Sequence, residues 1–178
     1  MARLPYVSDA DAATQPELAR LYEEVAGLRG SVHNLHRIIA NQPNALRAFM
    51  VMSRYVRNDA ALDPRLRELA VLATANALNV EYEKHHHVPA ARKAGVSEAQ
   101  LAAFPNWQAA SVFGPAERAV LSYADQVARQ RQVDDAVFAA LKPHLSDAEI
   151  FDLALTVGWY HLCAALIIPL GIEIESEE

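Results

Sequence analysis

The stretch Asp63–Gly95, DPRLRELAVLATANALNVEYEKHHHVPAARKAG, joins an almost wholly apolar segment to a short burst of ionisable groups. Asp63 suits a helix N-cap, and Pro64 suits the first turn, where its missing N–H is not needed. From Leu66 to Leu78 nearly every residue is apolar, which predicts a helix buried on all sides rather than an amphipathic one. Glu68 is the one carboxylate inside that run. Glu81, Tyr82, Glu83, Lys84, His85, His86 and His87 then arrive within a couple of turns, and Gly95 reads as the residue just past a second helix.

Spacing selects which of these groups can act together. Glu83 and His87 are four apart and share one helix face. A carboxylate beside an imidazole orients the ring and prepares it to give and take protons near neutrality. Glu68 belongs to the preceding buried helix, and a buried carboxylate needs a partner, of which His87 is the natural one. Against this stands a plainer reading: a helical first turn with solvated charges and one core ion pair.

Glu68, Val80, Glu83 and His87, followed by an Ala-rich turn and Gly95-Val96-Ser97, resemble the motif of the carboxymuconolactone decarboxylase-like family, which includes the AhpD-type alkylhydroperoxidases. The peroxidase branch has Glu, Cys, Cys and His at these spacings; here Val80 and Glu83 stand where the cysteines would be. Gly30–Phe49, GSVHNLHRIIANQPNALRAF, resembles the family's Asn-Leu helix, and Leu155–Glu175, LTVGWYHLCAALIIPLGIEIE, resembles its closing helix. The resemblance implies an all-α, AhpD-like helical domain with a central buried helix pair. It also implies assembly into a homo-oligomer, a trimer or hexamer.

Length and composition agree with one domain over residues 1–178. Ala and Leu dominate, and β-branched runs are short, which favours helices. The net charge of −6, with no basic block, argues against nucleic-acid and anionic-membrane partners. MARLPYVSDAD lacks the apolar core of a signal peptide. Gly158, His161 and Pro169 are expected to interrupt the best membrane-span candidate. The single cysteine, Cys163, forbids an intramolecular disulfide and fits a reducing, cytoplasmic setting.

In chain order the sequence reads as capped helices. Thr14 with Glu17 forms a capping-box pattern for a helix to about Ala26, and Gly27–Gly30 reads as a break. A short helix over Ser31–Ala40 and another from Pro43 to about Arg57 precede the central pair. Ser97 with Gln100 caps a short helix to Phe104, and Pro105–Gly114 reads as a loop or single turn. Pro115 opens a helix to about Gln130, and Asp134 or Asp135 caps one ending near Leu141. Ser146 with Glu149 launches a long apolar helix to about Ile168.

The histidines divide by geometry. His85, His86 and His87 are successive and point about 100° apart, so they cannot all face one cavity. His33 and His36 share a face, and His161 lies on the closing helix. The resemblance places the Asn34 helix and the closing helix around the same pocket, which makes His33, His36, Tyr82, His86 and His161 candidate substrate-binding residues beside catalytic His87, Glu83 and Glu68. Such a histidine set could also hold a metal, but no ligand spacing compels one, and neither metal nor cofactor is expected. His144 reads as a surface residue and Cys163 as a small buried hydrophobe. Glu117-Arg118 and Asp125-Arg129 read as a solvated helical face.

The family's decarboxylases act on a small carboxylated lactone, releasing CO2 to give an enol-lactone. That chemistry needs a carboxylate in a less polar place and a proton for the resulting carbanion, which His87 would supply with Glu83 or Glu68 tuning its charge. The decarboxylases proper are shorter and carry a basic residue soon after the motif His; here Val88 and Pro89 follow, and Arg92 is a full turn on. Thiol peroxidase chemistry lacks both of its sulfurs. The expectation is therefore acid–base chemistry on a small organic acid or lactone. The alternative is a non-redox oligomer that binds a small molecule or metal without lyase activity.

Overall fold

The computed structural model describes residues 1–176. Those residues form helices α1 (Asp9–Ala13), α2 (Pro16–Arg29), α3 (Asn34–Ile39), α4 (Pro43–Arg54), α5 (Pro64–Leu78), α6 (Glu81–Lys93), α7 (Glu98–Ala103), α8 (Pro115–Gln130), α9 (Asp135–Ala139) and α10 (Asp147–Leu170). A π-helical turn (Tyr55–Asp59) follows α4, and a 3-10 turn (Phe104–Ala109) follows α7. No strand occurs among the described residues, so the all-α class holds. Two compact units arise, one from Met1–Asn58 with the segment beginning at Ala165, the other from Asp59–Ala164.

The second unit is organised around α5. Asp63 caps it through Oδ1, which accepts from Arg65 N at 2.9 Å and Leu66 N at 3.1 Å. Asn79, at φ 57°, ends it in the left-handed conformation that asparagine tolerates. From Glu68 to Ala75 every residue of α5 is buried. The helix packs against α8 and α6, with Leu69, Ala70 and Ala73 meeting Val120, Leu121 and Ala124, and α10 adds Leu153 and Val157. Alanines at 70, 73 and 124 let the helices approach closely. Leu69, Leu121 and Leu153 are sealed from solvent, and truncating such a side chain costs about 2–5 kcal/mol.

α6 runs through Pro89, whose ring removes one donor from the helix and leaves the His85 carbonyl without its usual partner in the backbone ladder. Gly95, at φ 92°, follows the helix as the spacing predicts. The Ser97–Gln100 and Ser146–Glu149 capping boxes both form. Glu117 departs from the solvated face expected of it. It is buried, pairs with Arg65 at 2.6 Å, and accepts from Gln100 Nε2 and Gly114 N. Arg65 also donates to Gly95 O and Gln100 Oε1, so this network joins the start of α5, α7 and α8.

The first unit buries Leu18, Leu21, Tyr22 and Val25 of α2 against Leu46 and Met50 of α4. Tyr22 donates to Val7 O at 2.8 Å while the Arg37 guanidinium lies over its ring. The segment after Ala165 is tied in by Arg3 N to Leu170 O and by Asn34 Nδ2 to Glu173 O.

Two sequence expectations fail here. Ser8 and Asp11, not Thr14 and Glu17, form the first capping box, and Thr14 instead donates to Asp11 O. Gly27 lies within α2; the break is confined to Gly30, at φ 86°. A third correction concerns α10, which Gly158, His161 and Pro169 do not interrupt. It is continuous over 24 residues and, by length and composition alone, long and apolar enough to cross a membrane. An isolated glycine or histidine costs helix stability without ending a helix, and Pro169 comes in the last turn.

Candidate active site

α5 and α6 are neighbours in sequence, joined by the tight turn at Asn79-Val80, and pack against each other. Between them Glu68, Glu83 and His87 meet. His87 Nδ1 lies 2.7 Å from Glu68 Oε2, and His87 Nε2 lies 3.4 Å from Glu83 Oε2. Their exposures are 2%, 5% and 3%, so all three are removed from bulk water. A buried charge must be paired, and here one imidazole serves two carboxylates.

The two contacts differ in kind. At 2.7 Å the Glu68 contact is a short, charge-assisted hydrogen bond. With Glu68 ionised, its carboxylate only accepts and Nδ1 donates to it. That leaves Nε2 as the nitrogen that can exchange a proton. At 3.4 Å Glu83 is close enough for charge to matter but beyond a strong hydrogen bond, so this side of the ring is the looser one. Tyr160 of α10 packs edge-on against the imidazole, with centroids 4.8 Å apart and planes at 88°, and limits how the ring can tilt.

Two members of this constellation are invisible to spacing arguments. Tyr160 comes from far along the chain. Arg67 is adjacent to Glu68, and neighbours on a helix do not face each other, yet its long side chain curls back to place Nη2 3.4 Å from Glu68 Oε1. Arg67 thereby brings a cation against the triad from the start of α5. Arg92 is spent on Glu98, at 2.6 and 3.1 Å, on the surface.

The other candidate residues divide between the units. Tyr82 is buried, and its ring lies 4.5 Å from that of half-buried His86, while His85 is exposed. His161 is half-buried on α10; burial and then the Arg131 charge hold its pKa below the ordinary value, and its Nε2 has no hydrogen-bond partner among the described residues. His33 and His36 belong to the first unit, rings 5.9 Å apart. His36 is buried edge-on against Phe49, and neither ring nitrogen has a hydrogen-bond partner among the described residues. Burial first, then the charges of Arg29, His33 and Arg57, push its pKa down to about 3, so it is a neutral imidazole at physiological pH. Among the described residues no three His, Cys, Asp or Glu side chains are grouped as metal ligands.

The comparisons with known proteins fit this geometry. Residues 43–126, from the start of α4 into α8, match the carboxymuconolactone decarboxylase family and include all three members of the triad. No curated protein matches the chain by sequence. Among solved structures, the debrominase Bmp8, as a cysteine-to-alanine variant in complex with 2,3,4-tribromopyrrole, superposes with a TM-score of 0.83 at 18% identity, covering 99% of this chain and 95% of that one. An AhpD-core, peroxidase-related protein from Ralstonia eutropha superposes with a TM-score of 0.83 at 24% identity, covering 98% and 93%. A protein of unknown function from Agrobacterium tumefaciens, described as a putative antioxidant defence protein AhpD, gives a TM-score of 0.72 at 24% identity, covering 77% and 94%. With its AhpD-like helical architecture and its Glu68–Glu83–His87 cluster, the chain is similar to the carboxymuconolactone decarboxylase family, whose model its residues 43–126 match, and it carries Val80 and Glu83 in place of a Cys-x-x-Cys pair.

Proposed function

We propose that this protein is an acid–base lyase acting on a small carboxylated lactone or related organic acid, with His87 carrying the proton. The observation that carries the reading is the buried imidazole held by Glu68 at 2.7 Å on one nitrogen and faced by Glu83 at 3.4 Å on the other. In a decarboxylation the C–C bond to the carboxyl group breaks, and its electron pair moves into the conjugated carbonyl. CO2 leaves, and a proton from His87 Nε2 goes to carbon. Solvent or Glu83 then returns a proton to Nε2, so the net consumption is one proton per CO2 released. Glu68 positions the ring throughout. The substrate would sit on the Glu83 side, with Tyr82, His86 and His161 of the same unit as its candidate binding residues. Thiol redox chemistry is not proposed, because Val80 and Glu83 replace the two sulfurs it requires.

A second reading rests on the same contacts. Both ring nitrogens are engaged by carboxylates, an arrangement also suited to a non-redox protein that binds a small molecule without turning it over. The bromopyrrole complex of a protein with this fold supports a small, single-ring ligand in either case. A homo-oligomer, trimer or hexamer, in the cytoplasm, with no nucleic-acid or membrane partner, completes the proposal; the buried lone Cys163 is compatible with a reducing compartment.

The test is CO2 release from carboxylated muconolactones, measured for the wild type, His87→Gln and Glu83→Gln. Removing a positioned proton donor lowers a rate by about 10²–10⁴-fold, and His87→Gln is expected to fall in that range. A His87→Gln protein as fast as the wild type would overturn the lyase reading. Ligand binding without turnover in any variant would favour the second one.

A further inference from the structure

A hollow of about 170 Å³ lies in the second unit between α5, α6 and the α7–3-10 segment. Leu72, Val88, Leu101, Phe104 and Pro105 give it apolar walls, and only Asn76 and Lys84 bring polar groups to it. We propose that it binds small carboxylates with a compact apolar body, a single ring or a short chain, with the carboxylate held by Lys84 Nζ and the Asn76 amide. The proposal is independent of lyase activity and concerns binding alone.

Three features select that ligand class. The volume is below the roughly 300 Å³ at which pockets for drug-sized ligands begin, which limits the occupant to a compact molecule. The walls, Phe104 among them, demand an apolar body. One ammonium and one amide demand a single negative charge, so inorganic phosphate, which has no apolar part, and cations are both disfavoured. The two polar groups are also available. The Asn76 side chain makes no hydrogen bond among the described residues, although it is half-buried. Among the described residues Lys84 is held by Glu81 alone, at 2.7 Å, and Glu81 is 70% exposed, so that solvent-screened pair gives way easily to a desolvated carboxylate.

Helix periodicity explains why the polar groups converge. Leu72 and Asn76 are four apart on α5, as are Lys84 and Val88 on α6, so each helix presents one apolar and one polar residue to the same hollow. Glu68, Leu72 and Asn76 form one stripe along α5.

The experiment uses the intact protein with benzoate as probe and benzamide, a neutral molecule of similar shape, as control. Methyl NMR of Leu72, Val88 and Leu101 reports binding. Benzoate is expected to shift those methyls saturably, with Kd at least tenfold lower than for benzamide. Lys84→Gln is expected to weaken benzoate at least tenfold while leaving benzamide unchanged. Val88→Phe, which fills the hollow, should abolish both, and His144→Gln, at an exposed position, should change neither. Benzoate that leaves these methyls unmoved in the folded protein would overturn the proposal. So would equal affinity for benzamide, or indifference to Lys84→Gln.

Discussion

At the residue scale the decisive contact is His87 Nδ1 to Glu68 Oε2, 2.7 Å and buried. A double-mutant cycle with Glu68→Gln and His87→Gln, read by urea denaturation, should give a coupling energy of about 1.5–3 kcal/mol, the range for a charge-assisted hydrogen bond. A coupling within experimental error of zero would mean that the pair only happens to be adjacent. His36 makes a separate prediction with a definite sign. Its folded pKa, about 3, lies below the ordinary histidine value, so the unfolded chain binds the extra proton first as pH falls. Stability is therefore fully present above about pH 6.5 and is lost between there and pH 3, with a limiting slope of about 1.4 kcal/mol per pH unit. His36→Phe should flatten that part of the pH–stability curve, while His144→Phe, an exposed position, should not. A curve unchanged by His36→Phe would refute the assignment. The meeting of Glu68, Glu83 and His87 was legible in the sequence because i, i+4 spacing and the need to pair buried charge leave few alternatives. Arg67 was hidden because adjacency on a helix points side chains apart, and only its flexible stem defeats that rule. His36 was hidden because nothing local tells a solvated imidazole from a buried one.

At the scale of elements, the Arg65–Glu117–Gln100 network fixes how the start of α5, α7 and α8 meet. Glu117 accepts from Gln100 and Gly114 and pairs with Arg65, so removing it leaves Gly114 N without this acceptor and Arg65 without this carboxylate. Glu117→Ala should cost about 1–3 kcal/mol in urea denaturation. The exposed pair Arg92–Glu98 offers the contrast, because Glu98→Ala should leave the urea midpoint within experimental error of the wild type. If both substitutions cost the same, the network is not what locks these helices. The sequence misread Glu117 as solvated because Glu117-Arg118 looks like an ordinary surface pair. Its partners Arg65 and Gln100 come from other helices, which no local pattern announces. Capping was legible where Ser–x–x–Gln or Ser–x–x–Glu stood alone, at 97 and 146. It failed at the N-terminus, where Ser8 and Thr14 competed and Pro16 started α2 without a side-chain cap.

At the scale of the whole molecule, α10 raises the question of what surrounds the chain. Its apolar composition would pass for a membrane span, with a mean hydropathy of 1.8 over its best window. Asp152 argues otherwise: it is buried and accepts from Ala61 N at 2.6 Å, while Leu153, Val157, Tyr160 and Cys163 are buried further along the same helix. A carboxylate at that position is costly in lipid but satisfied in a protein core. The same helix nevertheless exposes Phe151 at 65% and Leu162 at 46%, large apolar side chains that the proposed oligomer would cover. Light scattering should therefore give a solution mass that is a multiple of the 19.6 kDa chain, and Phe151→Glu with Leu162→Glu should lower it without loss of helical circular dichroism. Flotation with neutral phosphatidylcholine vesicles separates the two readings of α10. The wild type should stay with the aqueous fraction, and co-flotation abolished by the double substitution would show that this face meets lipid instead of another copy.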